Sequence, residues 1–307
     1  MQALFIGQAY IDVTFLTDVL PTGDEKTVAR HFAVSFGGNA VTAAFCCAKL
    51  GVKPDLLASV ADDWLGRMFI DMAHRYGVSL HHRKVARSSL SFVMPKGGER
   101  AIVRCRDDDF PHPYPPLNLA GCRALHIDGH QPDAALHYAR ACREAGILTS
   151  LDGGGLRANT HDVLEFIDIA VVAERLCEQM QLSPGEMLAY LRSRGCRVGA
   201  VTLGPRGMLY YQGEGGGDRI MPALAVPEDR IIDTNGAGDI FHGAYIYSYL
   251  SNPFASWDEH FRLARAASAH AIQHLGNEDS LPTLTDINAA HAAFDERREP
   301  PRLIAVE

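Results

Sequence analysis

Short apolar-rich runs alternate with stretches of helical spacing along this 307-residue chain, and that rhythm constrains the fold more than any other feature. The runs are 3–6 (ALFI), 55–60 (DLLASV), 124–127 (ALHI), 148–151 (LTSL), 169–172 (IAVV) and 199–202 (GAVT). Between them, 133–145 (DAALHYARACREA) and 184–194 (PGEMLAYLRSR) repeat apolar residues every three or four positions. Strands of this kind, separated by helices, predict βαβ units: an α/β fold with a mainly parallel central sheet and helices on both faces.

Two segments break the rhythm. Residues 26–35 (KTVARHFAVS) and 88–105 (SSLSFVMPKGGERAIVRC) alternate apolar and polar residues, and Lys96-Gly97-Gly98-Glu99 reads as the turn of a β-hairpin. Strands with one polar face predict a small sheet projecting from the main body, suited to an active-site lid or an oligomer interface. The Pro-rich 111–116 (PHPYPP) reads as a surface connection, and the chain carries no repeat or low-complexity linker.

Composition excludes several function classes. With 29 Lys+Arg against 37 Asp+Glu the formal net charge is −8, which argues against non-specific binding to nucleic acid or to an anionic membrane. No stretch approaches the ~18 uninterrupted apolar residues of a membrane span. The opening MQALFIGQAYIDVTF reads as a buried first strand rather than a signal peptide. The seven cysteines are scattered without metal-binding spacing and are expected to be small buried hydrophobes in a reducing cytoplasm.

The chemistry concentrates in Asp233-Thr234-Asn235-Gly236-Ala237-Gly238-Asp239, which follows Ile231-Ile232 and precedes a predicted helix over 239–250. Three small residues at a helix start let backbone N–H groups close on an anion, and the helix dipole favours negative charge there. Asp239, just inside the helix, would face that anion. An anion hole of Gly236, Ala237 and Gly238 beside a carboxylate suits in-line phosphoryl transfer, the carboxylate taking the proton of the attacking hydroxyl. A P-loop (GxxxxGK[ST]) and a GxGxxG after the first strand are both absent.

This string resembles the C-terminal signature of the PfkB/ribokinase family of carbohydrate and nucleoside kinases. Four other landmarks follow the family's order: Gly7 to Asp12, Ser35-Phe36-Gly37-Gly38-Asn39-Ala40, Ala61-Asp62-Asp63-Trp64-Leu65-Gly66, and Thr202-Leu203-Gly204-Pro205-Arg206-Gly207. The resemblance implies a ribokinase-like three-layer α/β/α domain over 1–307, with a β-lid from about 12–35 and 86–107. It implies ATP with Mg2+ as phosphoryl donor, a homodimer paired through the lid, and no nucleic-acid or membrane partner. It gives Asp239 the role of general base. Asp12, Gly37, Gly38 and Asn39 become sugar ligands, with Lys26, Arg100 and Arg104 as lid cations suited to an anionic substituent. Thr202, Gly204, Gly207, Asn235, His270 and Gly276 fall at the nucleotide, and Asp233, Asn235 and Ser280 at a monovalent cation such as K+.

The chain departs from the family pattern at three places. Thr42 stands where a second Asn is common, and Ala61 where a glycine is usual. The N-x-x-E element that helps organise magnesium corresponds to Ala173-Glu174-Arg175-Leu176 and lacks both named residues. The lid-like segments and the DTNGAGDIFHGA string are similar to the sulfofructose kinase branch, and the GGNA string to ketohexokinase. The expected activity is therefore ATP-dependent phosphorylation of a ketohexose or an anionic sugar derivative. A nucleoside kinase, or a non-catalytic sugar or nucleotide sensor, is the alternative.

Overall fold

Apolar runs flanked by helical spacing become parallel strands here because each strand is covered on both faces. In β1 (Ala3–Gly7), Leu4 and Ile6 point into one core and Phe5 into the other, all at 1% exposure or less. Full burial of one such side chain stabilises by about 1.5–3 kcal/mol. The computed structural model describes residues 1–17, 19, 23–96, 99–213 and 215–297.

The chain leaves β1 for β2 (Tyr10–Leu16) and β3 (His31–Gly37), then α1 (Asn39–Lys49), β4 (Pro54–Val60), α2 (Trp64–Arg75) and β5 (Ser79–Lys84). Next come β6 (Ser89–Lys96), β7 (Glu99–Cys105), β8 (Ala124–Ile127), α3 (Pro132–Glu144), β9 (Leu148–Gly153) and α4 (Thr160–Leu164). They are followed by β10 (Ile169–Ala173), α5 (Glu174–Met180), α6 (Pro184–Ser193), β11 (Val198–Thr202), β12 (Met208–Gln212) and β13 (Arg219–Met221). The C-terminal third is helical: α7 (Ala237–Ser251), α8 (Trp257–Ala271), α9 (Gly276–Asp279) and α10 (Leu284–Ala293).

Nine strands form the main sheet in the order β13-β12-β11-β10-β9-β8-β1-β4-β5, parallel from β11 to β5 with β12 and β13 antiparallel. After β5 the chain returns to the other side of β1, so the order reverses between β1 and β8. Ligands in open α/β sheets bind at the carboxyl ends of strands at such a reversal. One core holds α1, α2, α7, α8 and α10, and the other α3 to α6. Helix α7 is apolar nearly all round, as a helix buried within the protein must be. The thiols of Cys46 and Cys47 on α1 donate to the carbonyls of Ile240 and Gly243 on α7, which accounts for two of the cysteines.

The second sheet, β3-β2-β6-β7, has four strands. β2 pairs antiparallel with β3 and parallel with β6, and β6 pairs antiparallel with β7. Buried Gln8 ties it to the end of β1 by donating to Ser89 Oγ (3.0 Å) and the Asp107 carbonyl (2.8 Å).

Three details differ from expectation. The alternating run begins pairing only at His31, because 25–29 lie in exposed coil without a neighbouring strand. The run 258–275 (DEHFRLARAASAHAIQHL) has helical apolar spacing throughout, but α8 ends at Ala271. Six cysteines are buried, but Cys105 is exposed at the end of β7. Gly97 and Gly98 of the expected turn lie outside the described residues. Among the described residues no helix is long and apolar enough to cross a membrane.

Candidate active site

The reversal between β1 and β8 gathers carboxylates. β2 carries Asp12 soon after β1, Asp128 follows the last residue of β8, β9 carries Asp152 near its carboxyl end, and α7 carries Asp239 in its first turn. Asp128 Oδ2 accepts from the Ala40 amide (3.2 Å), and Asp152 Oδ2 accepts from Asn39 Nδ2 (3.1 Å). The start of α1, where the glycine pair and Asn39 were expected to meet a sugar, therefore lies against both carboxylates.

Asp12 is 4% exposed, yet it is well supplied with donors. Its Oδ2 accepts from Asn235 Nδ2 (3.2 Å) and Asn277 Nδ2 (3.1 Å), and Ser91 and Arg104 lie across the small sheet from it. Burial raises the Asp12 pKa, while Ser91, Arg104, Asn235 and Asn277 favour the carboxylate and hold the rise back. Gly37 stands opposite Tyr10 in the ladder, and a Cβ there would lie 2.3 Å from Asp12 Cγ, so only glycine lets β3 pass this carboxylate.

The amide-lined turn has the expected form. Gly236 caps α7 at φ +73°, where a Cβ would also meet Asn277 Oδ1 at 2.2 Å. The amides of Ala237, Gly238 and Asp239 begin the helix and have no partner within it. Asp239 is half-buried, near the charges of Asp152, Arg100, Arg104 and Asp12. Its pKa stands far above the ordinary carboxylate range, first through desolvation and then through the neighbouring Asp152 charge; Arg100 and Arg104 pull it back down. Asp152 is raised too, chiefly by burial, with the Asn39 hydrogen bond opposing.

The remaining candidates separate into groups. Arg100 donates to the Thr234 carbonyl (3.4 Å) and Oγ1 (3.3 Å), at the DT element. Arg104 lies over the Tyr10 ring at 5.4 Å. Lys26 sits in the exposed coil before β3, with no described contact to the site. Asp233 accepts from the Asn235 amide (2.8 Å) and the Gly276 amide (3.1 Å), and Ser280 Oγ donates to the Gly276 carbonyl (2.7 Å). Asp233, Gly276 and Ser280 thus stand together, whereas the Asn235 side chain turns away to Asp12. Thr202, Gly204 and Gly207 shape the end of β11, where Thr202 Oγ1 donates to the Val172 carbonyl (3.4 Å). His270 lines a recess of about 490 Å³ with Arg230, Ile232, His274, Asp286 and Phe294; the lining does not include the 202–207 turn. Glu174 is engaged by Arg206, so it is not poised as a free carboxylate.

Asp128, Asp152, Ser91 and Asn277 escaped the sequence reading. The two aspartates carried a usable signal, since each follows a buried apolar run at a strand's carboxyl end. Asn277 carried none.

Comparisons with known proteins agree with this geometry. The model of the pfkB family carbohydrate kinases matches residues 2–284. The chain is 24% identical to ribokinase from Mus musculus over 306 residues, covering 93% of each protein. A putative ribokinase from Agrobacterium tumefaciens superposes with a TM-score of 0.86 at 24% identity, over 95% of this chain and 97% of that one. Arabidopsis thaliana ribokinase complexed with ribose and ATP gives 0.75 at 23% identity, over 94% and 98%. These matches establish the ribokinase-like α/β fold and a phosphotransferase that acts on an alcohol group. The chain belongs to the pfkB family of carbohydrate kinases.

Proposed function

We propose that this protein transfers the γ-phosphoryl group of ATP to a hydroxyl of a sugar, a ketohexose or an anionic sugar derivative. One observation carries the reading: Asp239, at the amide-exposing end of α7, lies within the electrostatic reach of Asp12, Asp152, Arg100 and Arg104. The sugar lies among Asp12, Asn39 and the glycine pair, its acceptor hydroxyl facing Asp239. Asp239 takes the hydroxyl proton as the oxygen attacks, and the 237–239 amides hold the charge on the phosphoryl group. ATP would place its base toward the His270 recess and its phosphates toward Gly236. Magnesium would arrive as the ATP complex; Glu174, already paired with Arg206, is a poor fit for organising it.

The small sheet serves as the lid. Arg104 makes no ion pair among the described residues and is the cation best placed for an anionic group on the sugar. The outer face of this sheet leaves Phe32 and Val103 68% and 65% exposed beside Phe15 and Phe92, a patch suited to a second copy of the chain. Asp233, Gly276 and Ser280 form the proposed K+ loop, and buried free thiols suit a cytoplasmic setting.

The test is an ATP-consumption screen with magnesium, with and without potassium. The panel covers ribose, neutral ketohexoses, nucleosides, phosphorylated sugars and sulfofructose. A strong hit that disappears in Asp239→Asn, with ATP binding retained, supports the assignment. Turnover near the starting rate in that variant overturns the base. Sedimentation of the parent and of Phe32→Glu decides whether the patch holds a dimer.

A further inference from the structure

Beneath the carboxylate cluster, Asp152 meets two buried histidines to which phosphoryl transfer gives no task. His126 on β8, Asp152 on β9 and His242 on α7 each offer one ligand atom, all within 4.8 Å of one another. Their exposures are 1%, 6% and 5%. His242 Nε2 lies 3.5 Å from Asp152 Oδ2.

Hydrogen bonding singles out which ring atoms are spare. His126 Nδ1 contacts Ser150 Oγ (3.0 Å), Ser150 Oγ contacts Tyr245 OH (2.6 Å), and Tyr245 OH contacts His242 Nδ1 (2.8 Å). Both δ nitrogens are thereby engaged by hydroxyls; His242 Nε2 faces Asp152 Oδ2, and His126 Nε2 is left for another partner. His126 Nε2 is buried with none. Whichever way the two hydroxyl protons point, that atom stays unsatisfied: it is a bare lone pair in one arrangement and an orphaned N–H in the other.

We infer that His126 Nε2, His242 Nε2 and Asp152 form a binding site for one divalent zinc-class transition-metal ion. Two imidazoles and a carboxylate, with a position left open, are donors that favour zinc-class ions over the all-oxygen shells of magnesium or potassium. The surroundings fit this use. Metal-bound imidazoles donate their other N–H to an oxygen, and here Ser150 and Tyr245 accept from the δ positions while Asn39 orients the carboxylate. In the bound form Ser150 accepts from both His126 and Tyr245. The ion would join β8 and β9 to α7 one turn beyond Asp239. The inference rests on this cluster alone and stands whether or not the proposed sugar is right.

The experiment uses the full chain, stripped with chelator and kept in millimolar Mg2+ without nucleotide. Co2+ is titrated with visible absorbance as the readout, and Zn2+ affinity is then measured by competition with a chromophoric chelator. One equivalent of Co2+ should give the intense band of a low-coordinate site, be displaced by Zn2+, and raise the melting temperature. His242→Asn and His126→Gln should each weaken Zn2+ by at least ~30-fold. A spectrum that stays that of six-coordinate aqueous Co2+ overturns the proposal on the unmodified protein, even if a variant fails to fold. Stoichiometric binding that survives in both variants overturns it as well, and would place the ion at surface histidines such as His270 and His274, whose rings are 4.3 Å apart.

Discussion

Asn277→Ala tests the link between the C-terminal loop and the sugar end of the site. The Asn277 amide donates to Asp12 Oδ2 (3.1 Å) and to the Phe36 carbonyl (2.8 Å), while its Oδ1 is buried without a partner. Losing a hydrogen bond to a buried carboxylate costs about 1.5–3 kcal/mol, and losing the one to the carbonyl about 1 kcal/mol. The orphaned Oδ1 leaves with the side chain and returns roughly 1 kcal/mol, so the net loss near neutral pH is about 1.5–3 kcal/mol. The carboxylate bond alone also fixes a titration shift. Its loss removes a donor that favours the carboxylate, so the Asp12 pKa moves further up from its already raised value. The sign follows from the folded pKa lying above the unfolded one: charging Asp12 disfavours the folded state, more so in the variant. The stability gap between variant and parent is therefore smallest at acidic pH, where both carboxyls carry a proton, and widens as pH rises through the two folded pKa values. Urea midpoints from pH 4.5 to 8 measure the gap, and the acidic limb of sugar kcat/KM should move to higher pH in the variant. A gap within about 0.5 kcal/mol at every pH, with an unshifted limb, would refute the reasoning and make Asn277 a bystander.

Three further outcomes follow from the same geometry. Asp239→Asn should cut turnover by at least ~100-fold while stabilising the free protein at pH 8 by about 1 kcal/mol or more. Because the folded pKa of Asp239 is raised, that gain should vanish near pH 4, as melting curves at the two pH values will show. Arg104→Ala removes a charge that favours ionised Asp239 and Asp12, so the acidic limb of kcat should move up by about half a unit to one unit. If Arg104 also reads the sugar, the KM for anionic sugars should rise more than for neutral ones. Gly37→Ala drives a methyl group into the Asp12 carboxylate, so sugar KM should rise at least ~10-fold and stability fall by about 1–3 kcal/mol; unchanged kinetics would remove Asp12 from the sugar site.

Legibility in the sequence tracked how local each cause was. The buried runs at 3–6, 124–127 and 169–172 were readable because a strand covered on both faces must be apolar along its length. The start of α7 was readable because its chemistry uses backbone amides, and those demand small residues at fixed neighbouring positions. Residues 26–29 look strand-like by alternation but lie in coil ahead of β3, and alternation cannot report whether a neighbouring strand is present. Asn277 reaches Asp12 across 265 residues of chain, and Ser91 reaches it through a parallel β2–β6 pairing that no local pattern encodes. Asp152 lies between these extremes. Its place after an apolar run was visible, but its closeness to Asp239 required the order of β8, β9 and α7 in space.

That closeness carries a consequence for how the base works. The main sheet and α7 supply negative charge at Asp128, Asp152 and Asp239, and the small sheet supplies the positive charge of Arg100 and Arg104. Burial first, then the charges of Asp152 and Asp12, favour the protonated form of Asp239, and Arg100 and Arg104 oppose them. Any movement of β7 away from α7 takes both arginines with it and leaves less of Asp239 ionised to accept a proton. Any approach of β7 leaves more of it ionised. The same approach narrows the recess in which water could compete with the sugar hydroxyl for the phosphoryl group. For Asp239 as the proposed base, the approach that excludes water therefore also brings the arginines that oppose the added desolvation and favour its ionised form.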